Sequence, residues 1–327
     1  MWRSENGADM TNARTGWIAA AGFAAAYAAS LLYLNSAGIL TFDDALELLG
    51  IIGVGFSVLT WLLTLGLKRD AAPIARPALE GLLTIGVMVA IAAYLVWGKT
   101  KVDAIIPDAA GGGSDLGHLI GVTAGKLIAF VALPYLLFRF AFGHRLADFG
   151  LSRDAWRRLL GREGLAALVI GIAICAFQFY AGQAAEPIRT GAIGGAALWL
   201  GLPLTFAWLM VEAGLVEEFF FRALIQTRMA ALFKSEWAGL VLMALIFGLI
   251  HAPGMVLRGA GDVEGLGDHP TALAAAAYSI VTQSVGGFYL GLLWMRTRNL
   301  PAVMIVHAAT DLLPNLQGFL KPFGLAH

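Results

Sequence analysis

The chain has 327 residues, 59% of them apolar and 13% charged, with a mean hydropathy of +0.75. A soluble domain carries roughly 25% charged residues, so these charges are too few to cover a water-facing surface of this size. The formal net charge is zero, 22 Lys and Arg against 22 Asp and Glu, and no basic tail offers electrostatic support for binding nucleic acid.

A membrane-crossing helix needs about 20 mostly apolar residues. Nine stretches qualify: 16–34, 46–67, 79–97, 119–138, 164–181, 196–221, 238–252, 271–294 and 299–317. The fold class expected is therefore all-α, a polytopic integral membrane helix bundle. The first stretch follows a short polar head and contains Ala26-Tyr27-Ala28, a small-residue pattern like a signal-peptide cleavage site. The apolar run continues to Leu34, which favours a retained first helix.

Basic residues set the orientation of such a bundle. Arg3, Arg14, Lys68, Arg69, Arg76, Arg139, Arg145, Arg153, Arg157, Arg158, Arg162, Arg222, Arg228, Lys234, Arg296 and Arg298 fall in alternate connections, with Lys99, Lys101, Arg189, Arg258 and Lys321 between them. This pattern predicts an N-terminus inside and a C-terminus outside, in a membrane of the bacterial cytoplasmic type. Residues 1–143 hold the first four stretches. Segment 98–118 includes a glycine-rich linker, and 144–163 forms an amphipathic connector whose short helix Ser152 can cap. Residues 164–327 form the part of the chain that carries chemistry.

Ionisable groups inside a bilayer are costly and mark a function or a partner. The sixth stretch runs into Glu217-Glu218-Phe-Phe-Phe-Arg222. Glu218 and Arg222, at i and i+4, can pair along one helix face. Glu217 points about 100° away and is left free to work as a general base among three phenylalanines. The seventh stretch ends in Phe247-Gly-Leu-Ile-His251, and the ninth contains His307-Ala-Ala-Thr-Asp311. Glu217 and His251 each lie 17 residues from Lys234, the turn between stretches six and seven, so both sit about 25 Å from it. His307 lies about 14 Å beyond Arg298 on the same side, against about 16 Å from Arg228 to Glu217. The three groups converge at one level.

Other signals are weaker. HExxH is absent. Gly259-Ala-Gly-Asp262 spells GxGD, a motif of aspartyl intramembrane proteases, but it lies in a polar loop with no partner aspartate in a facing stretch. Ser57 lacks the following glycine of the rhomboid pattern. Cys175 is a small packed hydrophobe. Glu212 has no assigned partner, and Lys126 either snorkels outward or pairs with an acid.

Taken together, EExxxR at 217–222, FxxxH at 247–251 and HxxxD at 307–311 resemble, in order and in successive helices, the three motifs of the CAAX-protease and bacteriocin-processing (CPBP, or Abi) intramembrane proteases. The resemblance covers roughly residues 145–317. It implies an endopeptidase acting on a membrane-associated peptide or protein within the lipid bilayer. Glu217 would activate a water with His251 as its partner. Glu218 would be positioned by Arg222, with Phe247 in support. His307 and Asp311 would stabilise the oxyanion, or Asp311 would orient His307. Glu217, His251 and His307 also make up a His2Glu set of the kind that holds catalytic zinc, so a zinc-dependent and a metal-free route both stay open. The rival readings are a non-proteolytic scaffold or immunity protein of the same family and a proton-coupled transporter using Glu217 and Glu212. The transporter reading calls for inverted repeats, and none is found.

Overall fold

A computed structural model describes residues 6–67, 69, 71–94, 116–258 and 266–325. The described residues form helices joined by turns and short connections, without a strand. Among the described residues, six helices are long and apolar enough to cross a membrane: Ala13–Ser36, Phe42–Leu63, Leu119–Phe142, Arg162–Ala181, Ala197–Leu232 and Glu236–Leu257. The bundle class follows as expected, but the count of nine is not reached by that measure. The third stretch is described only as far as residue 94, and within it Pro77–Ala93 is helical over 17 residues. The last two form long helices, Ala272–Thr297 and Leu300–Leu320, with more hydroxyl and amide side chains. Their hydroxyls are satisfied locally. Thr282, Ser284, Thr297 and Thr310 each donate to the carbonyl four residues back, a bond that lets a polar side chain sit in a dry bundle. The glycine-rich linker and the GxGD tetrapeptide lie outside the described residues, the linker apart from its last few positions.

We label the main helices α1 (Asn6–Ser36), α2 (Phe42–Leu63), α3 (Pro77–Ala93), α4 (Leu119–Phe142), α5 (Arg153–Arg158), α6 (Arg162–Ala181), α7 (Ala197–Leu232), α8 (Glu236–Leu249), α9 (Ala272–Thr297) and α10 (Leu300–Leu320). The chain divides into two units. One holds Met1–Ala92 and Leu224–Thr297, the other Ala93–Ala223 and Arg298–His327, so α7 contributes to both.

In the first unit, small residues let helices touch. A Cβ on Gly248 would lie 2.8 Å from the Ser279 carbonyl oxygen, and one on Gly291 would lie 2.5 Å from Leu240 and 2.6 Å from Met243. These glycines set the close α8–α9 packing, the usual device where lipid gives helices no hydrophobic reason to associate. Buried polar groups fasten the same unit. Arg228 pairs with Glu80 at 3.4 Å, and Trp294 donates to Thr227 at 3.1 Å.

In the second unit, α10 packs on α6, α7 and the connector. Its N-cap, Asn299, accepts from the Ala302 amide at 3.2 Å and donates to Ala155 O and Glu163 Oε2. Ser152 caps α5 as the sequence suggested, accepting from the Ala155 amide at 3.0 Å. Gly171 and Gly214 bring α6 and α7 onto α10. A Cβ on Gly171 would stand 3.2 Å from Ala309, and one on Gly214 would stand 3.0 Å from Met304 O.

Candidate active site

The helix α7 is not regular where it carries its acids. It widens to π-type turns over Met210–Leu215 and again over Phe219–Gln226, with Val216–Glu218 between them as a short α-helical piece. Such turns close i→i+5 bonds and concentrate at functional positions. Hydropathy carries no trace of them.

Around this irregular segment the second unit assembles Glu217, Glu218, Arg222, His307 and Asp311. Glu218 and Arg222 are both fully buried. The Arg222 Nη1 donates to Glu218 Oε1 at 2.8 Å, and the guanidinium lies 5.9 Å from the Phe221 ring centre. The same Glu218 oxygen is in close contact with His307 Nδ1. On the other side of the imidazole, His307 Nε2 is 3.4 Å from Asp311 Oδ2 and 3.9 Å from Glu217 Oε2. Both glutamates therefore flank one imidazole, one at each ring nitrogen. The expected 100° divergence does not send Glu217 to a different helix from the one Glu218 meets, because α10 comes close enough at Gly214 for both to reach it.

Accessibility separates the adjacent carboxylates. Glu218 is sealed, whereas the Glu217 side chain is 21% exposed and that of Asp311 is 31% exposed. The wall behind them is aromatic. Phe219, Phe220 and Phe221 are buried. Phe149 stacks on Phe219 with ring centres 4.8 Å apart, and Phe130 meets Phe220 edge-on at 5.2 Å. From α6, Gln178 Nε2 donates to Thr310 O at 2.6 Å, one residue before Asp311.

Phe247 and His251 belong to the first unit. There the His251 Nδ1 lies 2.7 Å from the Phe247 carbonyl oxygen, and the two rings are 5.0 Å apart in an edge arrangement. The shared helix face read from the sequence is realised. A ring nitrogen that donates to a carbonyl leaves Nε2 as the acceptor.

Sequence reasoning left one pairing open. Lys126 of α4 and Glu212 of α7, 86 positions apart, form a close ion pair. Only the cost of an unpaired charge in lipid hinted that each needed a partner.

As for a metal, no group of three or more His, Cys, Asp or Glu side chains among the described residues is arranged to hold an ion. His307 offers carboxylate-facing nitrogens on both edges, and a guanidinium lies just behind Glu218. The Glu217/His251/His307 set draws on both units.

Residues 199–313 match the sequence model of a family described as type II CAAX prenyl endopeptidase, Rce1-like. The matched segment contains all three motifs, and the match bears out the family resemblance that they carry. No curated protein and no solved structure is matched.

Proposed function

We propose that this integral membrane protein is a CAAX-type endopeptidase in which Glu217 activates the attacking water. The family match supports an intramembrane protease acting on a membrane-associated peptide or protein. The observation that favours Glu217 is the contrast in the adjacent pair. Glu218 is enclosed and held by Arg222 and His307, while Glu217 is reachable and has the His307 ring beside it.

The chemistry follows from those positions. A general base must reach both water and the dry interior. Glu217 takes a proton from a water whose oxygen attacks the scissile carbonyl carbon. Charge then develops on the carbonyl oxygen, and preorganised N–H donors stabilise it. His307 is the donor on α10, and Asp311 orients its ring. The C–N bond breaks as the proton on Glu217 passes to the leaving amine. His251, with Nδ1 held by the Phe247 carbonyl, presents Nε2 as an acceptor within the first unit. Arg222 touches no reacting atom in this scheme. It positions Glu218, which positions His307.

The test compares membrane proteomes and peptidomes of cells carrying the wild type and Glu217→Ala at equal expression. Accumulation of an uncut membrane protein or peptide in the variant alone supports the proposal. Indistinguishable profiles, alongside a phenotype for deletion, would favour the scaffold or immunity reading.

A further inference from the structure

We propose that Lys126 is a positioning residue of this site, a cation shared by Glu212, Glu217 and Asp311, with Glu212 as its anchor. The inference rests on the protease reading for its consequence in catalysis.

The sequence offers no reason to place a lysine from the fourth stretch at this site. The structure supplies three. First, Lys126 makes its ion pair with Glu212, whose side chain is 18% exposed against 36% for the lysine. The ammonium is thus held partly exposed, as Glu217 and Asp311 are, in contrast to the sealed Glu218–Arg222 pair. Second, Glu212 and Glu217 are five residues apart on α7, and the π-type turn over Met210–Leu215 contains Glu212 and ends two residues before Glu217. Residues five apart diverge widely on an α-helix, but an i→i+5 turn brings them onto nearly one side. The widened turn therefore swings Glu212, and the lysine it holds, toward the side that carries Glu217. Third, α4 is fixed against this segment just beyond Lys126 by the Phe130–Phe220 contact. Lys126 consequently interacts electrostatically with Glu217 and Asp311 as well as with Glu212.

The device has a physical purpose. The site gathers four carboxylates, Glu212, Glu217, Glu218 and Asp311, and two of them face one edge of His307. Like charges brought together out of water repel strongly. Arg222 answers the buried member, and Lys126 answers the half-open three. A lysine ammonium, compact and with three rotatable donors, suits a role that serves several carboxylates in turn.

Two measurements on the full chain in lipid nanodiscs test this. The first needs no activity. A water-soluble carbodiimide joins an ammonium to a carboxylate in contact with it, with loss of water. Peptide mass spectrometry should find Lys126 joined to Glu212 and also to Glu217 or Asp311. Linkage to Glu212 alone would overturn the shared-cation claim. The second uses a farnesylated CAAX-type reporter peptide. Lys126→Met should lower kcat at least ten-fold with KM within about two-fold, and Lys126→Arg should restore most of the rate. The double variant Lys126→Met, Glu212→Gln, which leaves no stranded charge, should stay slow. Its return to the wild-type rate would show that the lysine merely neutralises Glu212, and would overturn the proposal. A wild type that cuts neither this reporter nor any membrane protein would defeat the protease reading, and the carbodiimide result would still decide the shared cation.

Discussion

The strongest prediction concerns the sealed pair beneath the site. Arg222 and Glu218 are both fully buried and joined by a 2.8 Å bond. Replacing Arg222 with Met keeps much of the side-chain volume but leaves the Glu218 carboxylate enclosed without the guanidinium. Breaking a buried ion pair from one side costs about 3–5 kcal/mol. A folded chain has only about 5–15 kcal/mol in hand, and the loss equals roughly two to four orders of magnitude in the folding equilibrium. The double variant Arg222→Met, Glu218→Gln removes both charges and should recover most of the loss, since neutral replacements of a buried pair are often harmless to stability. Unfolding of the purified protein by rising SDS in mixed micelles, followed by circular dichroism, gives all three values and their coupling. A cost below about 1 kcal/mol for Arg222→Met, or a double variant as unstable as the single, would refute the reasoning.

Other consequences can be checked alongside it. Gly214→Val places a branched side chain where a Cβ alone meets Met304 O at 3.0 Å; overpacking of this kind costs about 1–3 kcal/mol, and cleavage should fall with it as His307 moves from the glutamates. Asn299→Ala removes the α10 cap together with two bonds to the connector, which should lower stability by about 1–3 kcal/mol in the same titration. Incubation with a strong zinc chelator should leave reporter cleavage within two-fold of the untreated rate, whereas a loss reversed by added zinc would put a metal at the site. His307→Asn should abolish cleavage while the protein still inserts and purifies, because both ring edges are engaged at the site.

Much of this was readable before any coordinates. Long apolar runs announced the bundle, and the i, i+4 spacing announced the Glu218–Arg222 pair and the Phe247–His251 contact. Matched depth placed Glu217 and His307 at one level, and they meet across 3.9 Å. Spacing on an ideal α-helix could not reveal the widened turns of α7, which depend on tertiary packing. Nor could it reveal that both glutamates address one imidazole, because that follows from the approach of α10 at Gly214. The Lys126–Glu212 pair joins elements 86 residues apart, and no local pattern encodes it. Hydroxyl and amide groups, satisfied within the bundle, dilute the apolar character of α9 and α10, which is why composition alone does not mark them as spans.

The central claim is that Glu217 performs the chemistry and Glu218 supports the fold. Glu217→Gln, purified into nanodiscs and given the farnesylated reporter, tests it most directly. The account predicts a loss of about 10²- to 10⁴-fold in kcat, the contribution of a general base, with stability close to wild type because Gln keeps the shape of a side chain that is partly exposed. Cleavage at the wild-type rate by this variant would contradict it.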